Sequence, residues 1–272
     1  DEFLIRPFRL HKKVIPRLGI DDLGIQVFTE FMFLTSLALF IAGYLFNIFY
    51  ISVLYHRGLT HGAVVLGPRL TRWVAWTGNW VTGIDPKAWV CMHRMHHLHS
   101  DSKFDPHSPH FQGVFGVMKG QLKSYRRILA RLIVRDRELE ALTSDIPFGV
   151  SYLNRKGLWA LPYALHFALG LVIAVALGSP LCGIAYYLGI TSHPIQGWMV
   201  NSLAHRFGYR NFATTDRSKN NWMVSLFVFG EGYQNNHHAH PNRASFSSRW
   251  SEPDLGYWLC LVAARLRLLR VA

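Results

Sequence analysis

Long apolar runs alternate along this chain with short polar clusters rich in histidine. The strongest run is Val27 to Ile51, broken among strongly polar groups only by Glu30 and Asn47. About 20 apolar residues, at roughly 1.5 Å of rise each, cross the core of a bilayer. Residues 27–51 are therefore predicted as a transmembrane helix that leads straight into His56 and His61. A second apolar run covers residues 157–178, and Gly178-Ser179-Pro180 marks a tight turn. A third covers residues 181–204, with Pro194 inside it as an expected kink. These last two form a hairpin. Residues 1–26 are basic and proline-containing, a tail or an interfacial segment. Trp73, Trp76 and Trp80 recur at helical spacing in residues 68–82. That spacing suits either an aromatic belt at the membrane interface or a packed core stripe. The polar middle, residues 100–156, carries a basic helical stretch from Lys119 to Leu142. Residues 221–233 read as a short helix and residues 253–271 as a longer one ending in arginines. The fold class expected is all-α, an integral membrane helical bundle of one domain spanning residues 1–272.

Composition agrees. Half of the 272 residues are hydrophobic and only 17% are charged, below the roughly 25% of soluble domains. The net charge of +13 would suggest nucleic acid on a soluble domain, but here the basic residues flank apolar runs. Arg126, Arg127, Arg131, Arg265, Arg267 and Arg270 suit a cytoplasmic surface facing anionic headgroups, and no nucleic-acid partner is expected. The three cysteines, Cys91, Cys182 and Cys260, are far apart, which indicates neither a thiolate metal site nor a disulfide framework. With three spans, His61 and His205 share a face only if the N-terminus lies outside. A preceding span beyond this sequence, or a re-entrant N-terminal segment, reconciles that with the basic tail.

The polar clusters carry the chemistry. They are His56 to His61, His93-Arg-Met-His96-His97, Asn201 with His205, and Gln234-Asn-Asn-His237-His238. Neutral imidazole is the commonest metal ligand. His93, His96 and His97, at i, i+3 and i+4, share one helical face, as do Asn201 and His205 at i and i+4. His56 and His61 are five apart, poor spacing for one α-helical face, so either the helix ends between them or they serve different metals. Adjacent His237 and His238 point apart, which suits two metals. All-nitrogen ligation without thiolates is compatible with iron, copper or zinc. His99 and His240 lie near enough to orient a ligand or carry a proton, and His11, His110, His166 and His193 stand alone.

These segments, with Trp89, Asp105-Pro106-His107, Gly230-Glu231-Gly232-Tyr233 and Pro253-Asp254, resemble the membrane fatty acid desaturases, in particular the stearoyl-type Δ9 branch, in the same order over about residues 50–260. The resemblance implies a cytoplasmic helical cap holding a di-iron site, two iron ions with O2 as co-substrate, and a long acyl chain as the molecule oxidised. It implies His56, His61, His93, His96, His97, His205, His237 and His238 as iron ligands and Asn201 as the holder of a metal-bound water. Gln234, His107 and Glu231 are the groups expected to tune those ligands. Gln234 stands where the family often has histidine. Val90, Cys91 and Met92 stand where animal acyl-CoA enzymes usually carry a charged pair, so acyl-lipid and acyl-carrier-protein substrates stay open. The other partners implied are membrane lipids and a separate electron donor, cytochrome b5-like or ferredoxin-like. The location implied is a multi-pass membrane protein with its histidines at the cytoplasmic face. A lipid hydroxylase or ketolase carries similar clusters, and a catalytically silent metal-binding membrane protein is the alternative of another class.

Overall fold

The computed structural model describes residues 20–272, so all of the expected basic tail except Ile20–Gln26 lies outside the described residues. The described chain is mainly helical, with a single two-stranded sheet. Its first helix, α1 (Ile20–Ile48), passes without a break into a π-helical segment, Phe49–Thr60. Together Gly24–Thr60 makes a rod of 37 residues, the one helix among the described residues long and apolar enough to cross a membrane. Its outer half exposes Ile25, Phe28, Phe31 and Leu34, an apolar surface that suits acyl chains rather than water. The inner half is buried by the rest of the chain from Ser52 to Thr60. A π-helix bonds residue i to i+5, one residue wider than an α-helix. Two side chains fasten the wide turns by bonding carbonyls five residues back, Thr60 Oγ1 to Tyr55 O at 2.9 Å and Arg57 to Ser52 O at 3.2 Å.

After His61 the chain forms β1 (Val64–Leu66), α2 (Pro68–Thr82) and α3 (Pro86–His99). Helix α2 stops at Gly83, whose φ of 72° is a left-handed cap, and Asp85 caps α3 by accepting from Ala88 N. Trp73 and Trp76 point outward, 59% and 80% exposed, so this stripe is not a core stripe. The polar middle holds α4 (Pro109–Gln112), α5 (Gly116–Ile133), α6 (Arg137–Leu142) and α7 (Tyr152–Arg155). The expected single helix over 119–142 breaks at Val134–Asp136, where Arg135 is left-handed and the Asp136 side chain caps α6. Ile128, Leu132 and Leu139 then bury against Ala88, Cys91 and Met92, which makes Cys91 a core residue.

The apolar hairpin is α8 (Leu161–Ala176) and α9 (Pro180–Ile190). Helix α9 packs between α1 and α8. It can do so because glycines let the backbones touch, as small residues do between membrane helices. A Cβ at Gly189 would lie 2.3 Å from Phe40 O of α1, and one at Gly183 would lie 2.2 Å from Gly170 O of α8. Gly189→Val is therefore expected to push α9 off α1 and lower the thermal midpoint of the purified protein in detergent by several degrees; an unchanged midpoint contradicts this packing. Pro194 does not kink a continuous helix. Helix α9 ends at Thr191, and Pro194 sits in the first turn of a new helix, α10 (His193–Trp198), where its missing N–H costs nothing. A second π-helical turn, Met199–Leu203, and α11 (Ala204–Arg206) follow.

The remaining helices are α12 (Trp222–Phe227), α13 (Gln234–Ala239) and α14 (Leu255–Arg265). Helix α14 ends six residues before the expected 271. Arg267 turns left-handed there, and β2 (Leu269–Val271) pairs antiparallel with β1 in the register Val64↔Val271. The largest core joins the π-helical segment (Tyr50, Val53, Leu54, Tyr55) to Val90 of α3 and to Cys260 and Ala263 of α14. It holds the ends of these elements rigidly around the histidines.

Candidate metal centre

Four elements, the π-helical segment with its cap His61, α3, α11 and α13, bring the eight clustered histidines together in two groups. His56, His61, His93, His97 and His237 form the first, with one ring nitrogen from each lying within 4.8 Å of all the others. His96, His205 and His238 form the second by the same measure. Helix α3 contributes to both, because His93 and His97 share one side and His96 is turned about 100° from His97. Helix α13 divides its adjacent pair, His237 to the first group and His238 to the second. His56 and His61 fall in one group despite their spacing. Residues five apart stack in a π-helix, and His61 N bonds His56 O at 3.2 Å. His97 and His238 stack at 4.4 Å between ring centroids, so the groups adjoin.

Gln234 belongs with the second group. Its Oε1 lies 3.0 Å from His238 Nε2 and 3.3 Å from His205 Nε2, and its Nε2 donates to Glu231 O at 2.8 Å. The bond from Nε2 aims the amide oxygen, the only part of the group able to ligate a cation, at the imidazoles. Asn201 donates to Gln121 Oε1 at 3.3 Å and lines one cavity with His56, His93 and Gln234. His107 stacks on His96 at 4.6 Å with both ring nitrogens unpartnered. His240 packs against the Phe212 ring instead of joining the histidines.

Four carboxylates stand behind these rings, and only Glu231 was singled out from the sequence for that place. Glu231 meets His56 Nδ1 at 2.6 Å, Asp105 meets His96 Nδ1 at 3.0 Å, Asp101 meets His205 Nδ1 at 3.0 Å, and Asp216 meets His238 Nδ1 at 2.8 Å. Each pairing lets Nδ1–H donate to the carboxylate and leaves the Nε2 lone pair facing inward. Burial would raise these carboxyls. Against it, the hydrogen bond and charge of His205, with Arg217 N–H and the Ser108 hydroxyl, hold Asp101 down at about 2, and His238 holds Asp216 lower still. Asp101 and Asp105 follow His97 closely in the chain and were detectable as candidates, whereas nothing local marks Asp216.

A cavity opens beside the first group. Ile48, Ile51, Met92, Leu122, Val200 and Val228 line it together with His56, His93, His107, Asn201 and Gln234. Trp89 also lines it and stacks on His93, with centroids 5.0 Å apart and planes 7° from parallel. Trp198 donates to Val114 O.

A profile of the fatty acid desaturase family matches residues 32–249 of the 272. The chain belongs to the fatty acid desaturase family. It is 32% identical over 205 residues to the sn-1 stearoyl-lipid 9-desaturase of Anabaena variabilis, covering 75% of this chain and 71% of that one. It is 30% identical over 227 residues to the hex-5-enoyl-[acyl-carrier protein] acetylenase of Moorena producens, covering 78% and 68%. It is 28% identical over 236 residues to the acyl-CoA C20 Delta5-desaturase of Anemone leveillei, covering 78% and 65%. This desaturase is an oxidoreductase acting on fatty acyl chains, and its histidine groups fit metal binding.

The electrostatics of the desaturase's histidines make that fit specific. Burial first, then the neighbouring imidazoles, push His93, His97 and His237 well below the ordinary histidine range, His61 to about 2 and His238 to about 4. These five rings are thus neutral, with lone pairs to give, whereas at His205 burial is overcome by the hydrogen bond and charge of Asp101, which raise it. Yet His97 Nε2 lies 3.0 Å from both His93 Nε2 and His237 Nε2, and His56 Nε2 lies 3.0 Å from His237 Nε2. His61 Nε2 and His96 Nε2 are buried with no partner among the described residues. Lone pairs facing one another at such distances repel, and a buried polar atom without a partner is costly. A cation at the centre of each group resolves both problems.

Proposed function

We propose that this desaturase holds two iron ions at its histidine groups and uses O2 to introduce a double bond into an acyl chain lying in the adjoining cavity. The observation that carries the reading is the set of inward-facing Nε2 atoms, four of them on rings whose Nδ1 is backed by a carboxylate. His56, His61, His93, His97 and His237 would hold one iron. His96, His205 and His238, with Gln234 Oε1, would hold the other, and Asn201 would position a bound water. Iron bound at these groups supplies the activation of O2 and the removal of hydrogen from an unactivated methylene.

The chain's own residues do the rest. Asp101, Asp105, Asp216 and Glu231 keep a proton on each Nδ1, so the opposite nitrogen stays free to ligate. Trp89 pins the His93 ring, and Tyr55, Trp89 and Phe246 close the centre on the side of His56. Ile48, Ile51 and Val228 exclude water from the reacting part of the chain and fix which methylenes face the histidines, so they set where the double bond falls. The relatives named above act on lipid-linked, carrier-protein-linked and CoA-linked chains, and all three carriers suit a cavity of this kind. Helix α1 and the α8–α9 hairpin would cross the membrane. The basic α5, with Arg126, Arg127 and Arg131, would mark the histidine side as cytoplasmic, where a separate electron donor delivers reducing equivalents.

The test is expression in a host whose acyl chains are known, with metal analysis of the purified protein. Two irons per chain and a new acyl species lacking two hydrogens are the expected results. An acyl species that has gained an oxygen instead indicates a hydroxylase, and less than one iron per chain after iron-replete growth removes the basis of the reading.

A further inference from the structure

The cavity beside the histidines is not uniformly apolar. Helix α10 presents His193 and Gln196, three residues apart and so on one side, to its lining. His193 is 7% exposed and Gln196 3%. Their polar neighbours are already satisfied by one another. Gln121 Nε2 donates to Pro194 O at 2.9 Å, and Gln121 Oε1 accepts from Asn201. Ser192 Oγ donates to Gly189 O at 2.7 Å and accepts from Gln196 Nε2 at 2.7 Å. That last bond fixes the Gln196 amide, because Ser192 has already committed its hydrogen. Among the described residues the Gln196 oxygen is left without a partner, and so is His193 Nδ1.

A plain acyl chain would leave both atoms unpaired. The large majority of buried side-chain polar atoms are paired in folded proteins, and two unpaired ones on residues that line a single cavity point to something that fills the gap. The Gln196 oxygen can only accept, so its partner must donate. Neutral His193 Nδ1 donates or accepts according to its tautomer. We infer that the desaturase's substrate carries, at the depth of α10, a group that donates a hydrogen bond to the Gln196 oxygen and pairs with His193 Nδ1. A hydroxyl on the acyl chain or the secondary amide of a thioester carrier arm has that chemistry, whereas the ester of an unmodified glycerolipid has no donor. The inference rests on the reading of this cavity as the acyl site.

Displacement of a fluorescent acyl probe from the purified full-length protein in detergent tests it. Methyl stearate is the reference ligand, compared with methyl hydroxystearates substituted at successive carbons and with the N-acetylcysteamine thioester of stearic acid. Failure of methyl stearate itself to displace the probe would sink the acyl-site reading, a result separate from those that follow. At one or two adjacent hydroxyl positions, or for the thioester, binding about tenfold tighter than the reference is expected, the value of one well-made hydrogen bond. The hydroxyl arm and the thioester arm identify which source supplies the group. In His193→Phe and in Gln196→Met the ratio should collapse to within twofold, and His193→Gln, which keeps a donor, should restore part of it. A wild-type ratio within twofold for every probe means that water alone meets these atoms, and overturns the inference without recourse to any variant.

Discussion

His237→Ala is expected to abolish double-bond formation and to empty the five-histidine group of metal. His237 is fully buried at the middle of that group, 3.0 Å from both His56 Nε2 and His97 Nε2. It joins histidines from the π-helical segment and from α3, so its loss opens the shell from both sides. Loss of a mere outer partner of a metal ligand costs about 10- to 100-fold in metal affinity or activity. Loss of a ligand at the centre of a group should exceed about a hundredfold. The neighbouring Phe246 ring, 4.4 Å from the His237 ring, is positioned to settle into part of the space, so the protein should still fold. Iron per chain and the acyl profile of the host are the readouts. His240→Ala, which removes a ring packed on Phe212 outside both groups, is the matched comparison and should retain metal. Equal iron content in the two variants contradicts the placement of His237 as a ligand.

Arg57→Met should destabilise the fold more than any other single change considered. The Arg57 side chain is completely buried. It donates to Glu231 Oε1 at 2.7 Å, to both Asp254 oxygens at 3.1 and 3.2 Å, and through Nε to Ala244 O at 2.8 Å, and it lies 3.9 Å over the Phe246 ring. Methionine fills much of the volume but leaves two buried carboxylates without their cation. Breaking a buried ion pair by removing one partner costs about 3–5 kcal/mol. Because Glu231 also orients His56, the expected phenotype is double, with a lowered thermal midpoint in detergent and reduced iron content. Neutralising the stranded carboxylates as well, in Arg57→Met with Glu231→Gln and Asp254→Asn, should recover much of the stability. It should not recover the iron, because the amide at position 231 no longer draws the Nδ1 proton of His56. A midpoint that stays low in the triple variant argues that packing, not charge, is what Arg57 contributes.

The histidine spacing and the Val27–Ile51 run were legible because each is a local pattern: ligands at one-turn intervals and unbroken apolarity. The assignment of Asp101, Asp105 and Asp216 to rings was not, since those partners are chosen by tertiary approach and aspartates near turns are common for other reasons. Strands β1 and β2, three residues each and far apart in the chain, are too short for alternation to announce them. The break between α9 and α10 is a polar step, Thr191-Ser192-His193-Pro194, too short to tell from a kink inside one longer apolar run. The place of Gln234 needed α13 itself, which sets Gln234 four residues before His238 and so on the same side of one turn.

Widening of the helix at Phe49–Thr60 explains how His56 and His61, about 140° apart on an α-helix by the geometry of 3.6 residues per turn, come to address the same centre. It also ties the lipid-facing and histidine-facing sides of one rod in a fixed angular phase. Along the outer half, the side chains that face away from α9 are interchangeable as long as they are greasy. The number of residues is not, because adding or removing one would swing His56 by about 100° away from its partners. On that face the stretch is therefore free to vary in composition, but it is bound in length.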